Sequence, residues 1–151
     1  MDSDYVPVLE VIRGNICESI HFGAAALVDS SGTLLASLGN PRLVTFMRSS
    51  AKPLQVLNFI ENGGDQVYHL TSRELAIMCA SHEGSDEHVQ VIKAIQERVG
   101  LLESDLLCGI HQPFNLAAQN SLQQRGVTPT QNHNNCSGKH TGMLAFARMR
   151  G

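Results

Sequence analysis

In the stretch MRSSAKPLQ, Ser49 stands three residues before Lys52, and at that spacing a hydroxyl and an amine share one face where a helix begins. A lysine amine so placed can take the serine proton, turning a weak alcohol into a nucleophile for acyl transfer. The plainer alternative is that Ser49 or Ser50 caps the helix and Lys52 is solvated; thirteen serines make a chance S-x-x-K easy. Two further segments concentrate reactive groups. CASHEGSDEH holds Ser81, His82, Glu83, Ser85, Asp86, Glu87 and His88, some of which suit the cap of a following helix. HNNCSGKHTGML brings His133, Asn134, Asn135, Cys136, Lys139 and His140 to a loop that turns into helix. That loop offers soft and nitrogen donors for a metal, amide donors, and free N–H groups at a positive helix end. Its plainer reading is a capped polar loop with Cys136 buried as a small hydrophobe.

The elements that must position these groups follow from pattern. VPVLEVIRG is rich in β-branched residues, and HFGAAALVDSSGTLLASLG joins two apolar runs through the turn signal Asp29-Ser30-Ser31-Gly32, which predicts an antiparallel meander. Past Pro53 the period changes: Leu54, Leu57 and Ile60 recur at three, and Gly63-Gly64 ends a helix. TSRELAIMCA and SDEHVQVIKAIQERVG each open with a hydroxyl residue followed by acids, which suits an N-cap and the helix dipole. NLAAQNSLQQRG and SGKHTGMLAFARMRG predict two more helices around the polar loop VTPTQNHNN. A small antiparallel sheet followed by helices is an α+β, or mixed α/β, arrangement.

At 151 residues, 42% hydrophobic and 17% charged, the chain has the size and composition of one soluble globular domain. A formal charge of −3 without a basic run provides no footprint for nucleic acid or anionic lipid, so neither nucleic acid nor membrane is expected as a partner. The first residues, MDSDYVPVLE, lack the basic and apolar regions of a signal peptide, so a cytoplasmic location is expected. Cys17, Cys79, Cys108 and Cys136 form no C-x-x-C pair; free or metal-bound thiols are expected rather than disulfides.

Taken together, RSSAKPLQ, CASHEG with a histidine beyond, CGIHQP and HNNCSGKHTGMLA, in this order, resemble the asparaginase II family of the rhizobial type, and RGNICESIHFG is similar to that family's N-terminal pattern. The resemblance implies a serine-β-lactamase-like or glutaminase-like fold and hydrolysis of L-asparagine to L-aspartate and ammonia. It implies Ser49 and Lys52 as the first catalytic Ser-Lys pair, with Ser81 as the second active-site serine. For zinc it implies Cys136 and Lys139 as two ligands, with another cysteine supplied later in the family's chain; in these residues solvent, His133 or His140 is left to fill the shell. As substrate contacts it points to Arg48, whose fork suits a carboxylate, and to His82, Glu83, Asn135 and His140. The family's members are longer, so residues 1–151 are expected to be one partial domain without the later lysine and third zinc ligand. A homo-oligomer is expected too. Two other readings stand beside this one. The first is a non-catalytic fragment of the same family. The second is a penicillin-recognising enzyme, which shares S-x-x-K but needs S-D-N or S-x-N and K-T-G, strings absent from these residues.

Overall fold

Arg13 pairs with Ile16 across the turn Gly14-Asn15, and Gly14 sits at φ +62°, a left-handed backbone that glycine adopts without steric strain. That turn closes the first hairpin, β1 (Val6–Arg13) with β2 (Ile16–Gly23). A second hairpin pairs β3 (Ala25–Val28) with β4 (Leu34–Leu38). Its connection is organised by the Asp29 carboxylate, which accepts from Ser31 Oγ (2.7 Å), Ser31 N (2.9 Å) and Thr33 N (2.9 Å). These bonds, led by the Ser31 hydroxyl, hold the Asp29 carboxyl below its ordinary value. The expected meander is therefore two separate two-stranded sheets rather than one continuous sheet.

The computed structural model describes residues 4–151 and divides the chain into two units, Met1–Phe46 and Met47–Gly151. In the first, no described side chain is buried, and the strands leave Leu9, Ile12, Ile16, Phe22, Leu27 and Leu35 exposed. A two-stranded ribbon has no second layer to cover either face, which explains this exposure.

The second unit is helical. A 3-10 turn, Arg48–Ala51, leads into α1 (Lys52–Glu61), followed by α2 (Gly64–Val67), α3 (Ser72–Cys79), α4 (Asp86–Val99), α5 (Leu116–Gln124) and α6 (Ser137–Arg150). Pro53 lies in the first turn of α1, where its missing N–H leaves no bond unmade. Thr71 and Glu74 form a reciprocal capping box on α3, Ser85 caps α4 and Asn115 caps α5. Val56, Phe59, Ile77, Met78, Ile92, Ile95, Val99 and Ala145 form one core among α1, α3, α4 and α6. In α1 the residues whose spacing reveals the helix, Leu54, Leu57 and Ile60, lie on its exposed side, while Val56 and Phe59 are buried. Two small antiparallel sheets and six helices among the described residues make this an α+β protein. No described helix is long and apolar enough to cross a membrane, and all four cysteines are free.

A polar seam runs through this core. Gln96 and Asn132 exchange amide hydrogen bonds (2.8 and 3.1 Å), and Asn132 N donates to Glu103 Oε1 (2.8 Å). The seam fastens the segment before α6 to α4. A buried amide pair satisfied in this way specifies one register of loop on helix, because any shift strands both amides.

Candidate active site

Lys52 begins α1 and is 3% exposed, an unusual position for a lysine unless it is paired. Its Nζ donates to Ala80 O (2.9 Å) and Ser81 Oγ (2.7 Å), and Ser81 Oγ donates to Ser49 Oγ (2.9 Å). Three groups from two segments thus form one chain, Lys52 to Ser81 to Ser49. The helical spacing of Ser49 and Lys52 does not produce a direct bond between them; Ser81, delivered by the end of α3, lies between. Arg48, which precedes Ser49, has φ +49°, the left-handed region where a side chain costs about 1 to 2 kcal/mol. Non-glycine residues held there concentrate at functional sites.

Ser49, Lys52, Arg48 and Gln55 line a shallow cavity of about 260 Å³, whose opposite wall is Cys136 and Lys139 from the start of α6. Two segments separated widely in sequence therefore meet, as their chemistry suggests. Ser49 faces this cavity and Ser81 does not line it. Among the described residues no carboxylate lines it, and Arg48, Lys52 and Lys139 supply three basic groups. Such a cavity is suited to an anionic ligand.

The family model of L-asparaginase II matches residues 9–151. The chain belongs to the L-asparaginase II family. No curated protein matches it. Membership makes it a protein of asparaginase type acting on a small molecule, and the remaining residues of this asparaginase II chain can be placed with that in view.

His82 is 3% exposed and carries structure. Gly84 N donates to its Nδ1 (3.1 Å), which puts the ring proton on Nε2, facing Ser137 Oγ (2.8 Å); that hydroxyl in turn donates to Asn132 O (2.9 Å). Burial, then the His88 and Lys52 charges, push His82 down from 6.5 to about 4. Glu83 is exposed and accepts from Asn115 Nδ2 (2.9 Å) at the cap of α5. Asn135 accepts His82 N through its carbonyl (3.2 Å), and its own N–H donates to His111 Nε2 (3.2 Å). Asn134 Nδ2 donates to Cys108 O (2.9 Å) and Gly109 O (3.1 Å) while its Oδ1 accepts Cys136 N (2.9 Å). His133 Nδ1 accepts from Thr130 N (3.0 Å), and burial lowers its affinity for a proton. His140 is half-buried and pushed down by burial, then by Lys139 and Lys52.

The structure thus gathers Arg48, Ser49, Lys52, Ser81, Cys136 and Lys139, while His82, Glu83 and Asn135 tie the loops that hold them. Gln55 was not singled out in the sequence. It lies three residues beyond Lys52, on the same side of α1, so helical periodicity applied to Lys52 finds it. Among the described residues no group of three or more histidine, cysteine or acidic side chains is arranged to hold a metal ion; Cys136 and Lys139 are two donors where zinc takes four.

The protonation of His82 has a consequence for stability. A folded value near 4 against 6.5 means that the unfolded chain binds more protons between those pH values. Stability is therefore full above about pH 6.5 and falls by on the order of 3 kcal/mol as pH drops towards 4. Glu74 acts in the same sense at lower pH. Burial alone raises its carboxyl, but hydrogen bonds from Thr71 and Arg98 outweigh that and hold it below its ordinary value. Urea midpoints measured between pH 7.5 and 4.5 should fall through this window, and His82→Gln should flatten the upper part; equal slopes in both proteins would remove His82 from the account.

Proposed function

We propose that the chain hydrolyses L-asparagine to L-aspartate and ammonia, with Ser49 as nucleophile and Lys52 as base acting through Ser81. The observation that carries the reading is the Lys52–Ser81–Ser49 chain, with bonds of 2.7 and 2.9 Å, opening into a cationic cavity. With Lys52 neutral the donors reverse: Ser49 O–H points to Ser81, and Ser81 O–H to Lys52. Ser49 Oγ attacks the side-chain carboxamide carbon as its proton passes through Ser81 to Nζ. Collapse of the tetrahedral intermediate breaks the C–N bond, and the relayed proton leaves with ammonia. Water then adds to the β-aspartyl ester, gives a proton back to the relay, and releases aspartate as Ser49 recovers its own.

Arg48 would bind the substrate's α-carboxylate through its fork. Lys139 and the start of α6 line the cavity that Ser49 faces and would supply donors for the developing oxyanion, which groups placed in advance stabilise without reorganisation. His82, Glu83 and Asn135 hold that wall and the Ser81 loop, and would act on catalysis by positioning. Ammonia release from L-asparagine by the purified chain, set beside Ser49→Ala, tests the reading. Release that survives this substitution would overturn it.

Zinc enters this proposal only as a partner of Cys136 and Lys139. A thiolate and a neutral amine are two ligands of a tetrahedral shell, so binding should be weak, pH-dependent and accompanied by proton release. Calorimetric titration of metal-stripped protein should show zinc binding that Cys136→Ser removes; no heat, or no effect of the substitution, takes zinc out of the reading. No step of hydrolysis is routed through the metal. The expected homo-oligomer stands as a proposal on the same footing, checked by the mass from light scattering.

A further inference from the structure

Arg48, Ser49, Lys52, Gln55, Cys136 and Lys139 line the cavity, and Gln55 alone among them carries a carbonyl oxygen on its side chain. Arg48 and a charged Lys139 only donate, Ser49 and Lys52 belong to the proton relay, and the Cys136 sulfur is a weak acceptor. Gln55 follows Lys52 by three residues on one side of α1, so it stands beside the head of that relay. Its side chain is exposed, and its amide has no hydrogen-bond partner among the described residues. Gln96, in the polar seam, has both of its amide atoms bonded. With the carboxamide of L-asparagine at Ser49 and its α-carboxylate on Arg48, one polar group of the substrate is left over. That group is the α-ammonium, which has three N–H donors and needs an oxygen to accept from them. No carboxylate among the described residues lines the cavity to do so.

Resting on the reading of Ser49 as nucleophile and Arg48 as partner of the α-carboxylate, we propose that Gln55 is a substrate-binding residue that selects amides bearing an α-amino group. Its Oε1 accepts a hydrogen bond from the substrate's α-ammonium. The charge on that ammonium does not change while the carboxamide C–N bond breaks, so the contact is equally strong before and during the reaction. An interaction of this kind sets KM and leaves kcat alone. A hydrogen bond to a charged donor is stronger than one between neutral groups, and an amide oxygen provides it without adding a carboxylate that Arg48 or Lys139 would capture.

Ammonia release from L-asparagine and from succinamate, which is the same molecule without its α-amino group, tests this in the unmodified protein and in Gln55→Met. Methionine keeps the length of the side chain at an exposed helical position and removes the amide. KM for L-asparagine should rise about tenfold in the variant with kcat within about twofold, and both constants for succinamate should stay within about twofold. A loss shared by both substrates, a loss confined to kcat, or no loss at all overturns the proposal. If neither compound releases ammonia from the unmodified protein, the catalytic reading fails and binding decides the role of Gln55. Calorimetry showing L-aspartate bound more tightly than succinate, with the difference lost in Gln55→Met, supports the contact alone; equal affinities, no binding, or a difference that survives the substitution overturns it.

Discussion

Ser49→Ala should lower asparagine turnover by about 10⁴-fold, and Lys52→Met by a comparable factor, with the double variant no worse than either. The non-additivity follows from the geometry. Lys52 reaches Ser49 only through Ser81, at 2.7 and 2.9 Å, so removing either end leaves the other without a function. Ser81→Ala breaks the relay while leaving the nucleophile in place. Because Lys52 has no other route to Ser49, it should cost about as much as Lys52→Met, and the residual activity should still depend on Ser49. Steady-state ammonia release from the four proteins, each checked for folding by circular dichroism, separates the roles. If Ser81→Ala is dead and Ser49→Ala active, the nucleophile is Ser81 with Lys52 as its immediate base.

Gly138→Ala should destabilise the protein by about 3 kcal/mol, a large share of the 5 to 15 kcal/mol typical of a folded chain. A Cβ on Gly138 would lie 2.3 Å from Ile77 O and 2.9 Å from Ile77 C, and both are backbone atoms that cannot rotate away. The helices α3 and α6 must move apart to admit it. Gly138 lies between Cys136 and Lys139, and Ile77 lies four residues before Ser81, so separation would pull the two walls of the cavity from each other. Thermal unfolding should show a drop in Tm, and any asparagine turnover should fall with it in the native fraction. A Tm unchanged within a degree or two would mean that the helices are not in this contact. Ala145→Gly in the same helix loses only a methyl group and some helix propensity, and should cost less.

Much of the helical unit is legible because its signals are local. Thr71 with Glu74, Ser85 with its following acids, and Gly63 after an apolar run are each decided by a hydrogen bond or backbone angle within a few residues. The candidate groups at Ser49, Lys52, Cys136 and Lys139 were visible in the same way, as reactive types at helical spacing. The burying face of α1 was not visible, because Leu54, Leu57 and Ile60 are as apolar as Val56 and Phe59. Which stripe faces inward depends on α3 and α6, which arrive later in the chain. The division of the strands into two hairpins likewise depends on pairing between segments and not on their β propensity.

The sequence by itself determined the element types, the caps and the inventory of reactive groups. Tertiary structure alone decided that Ser81 stands between Ser49 and Lys52. It also decided that His82, which reads as a reactive group in a polar stretch, is spent on Ser137 and Gly84 inside the protein. The physical reason is range: a cap or turn is settled by contacts a few residues apart. A proton relay and a buried imidazole are settled by which distant backbones pack close enough to exclude water, and no local pattern encodes that closeness.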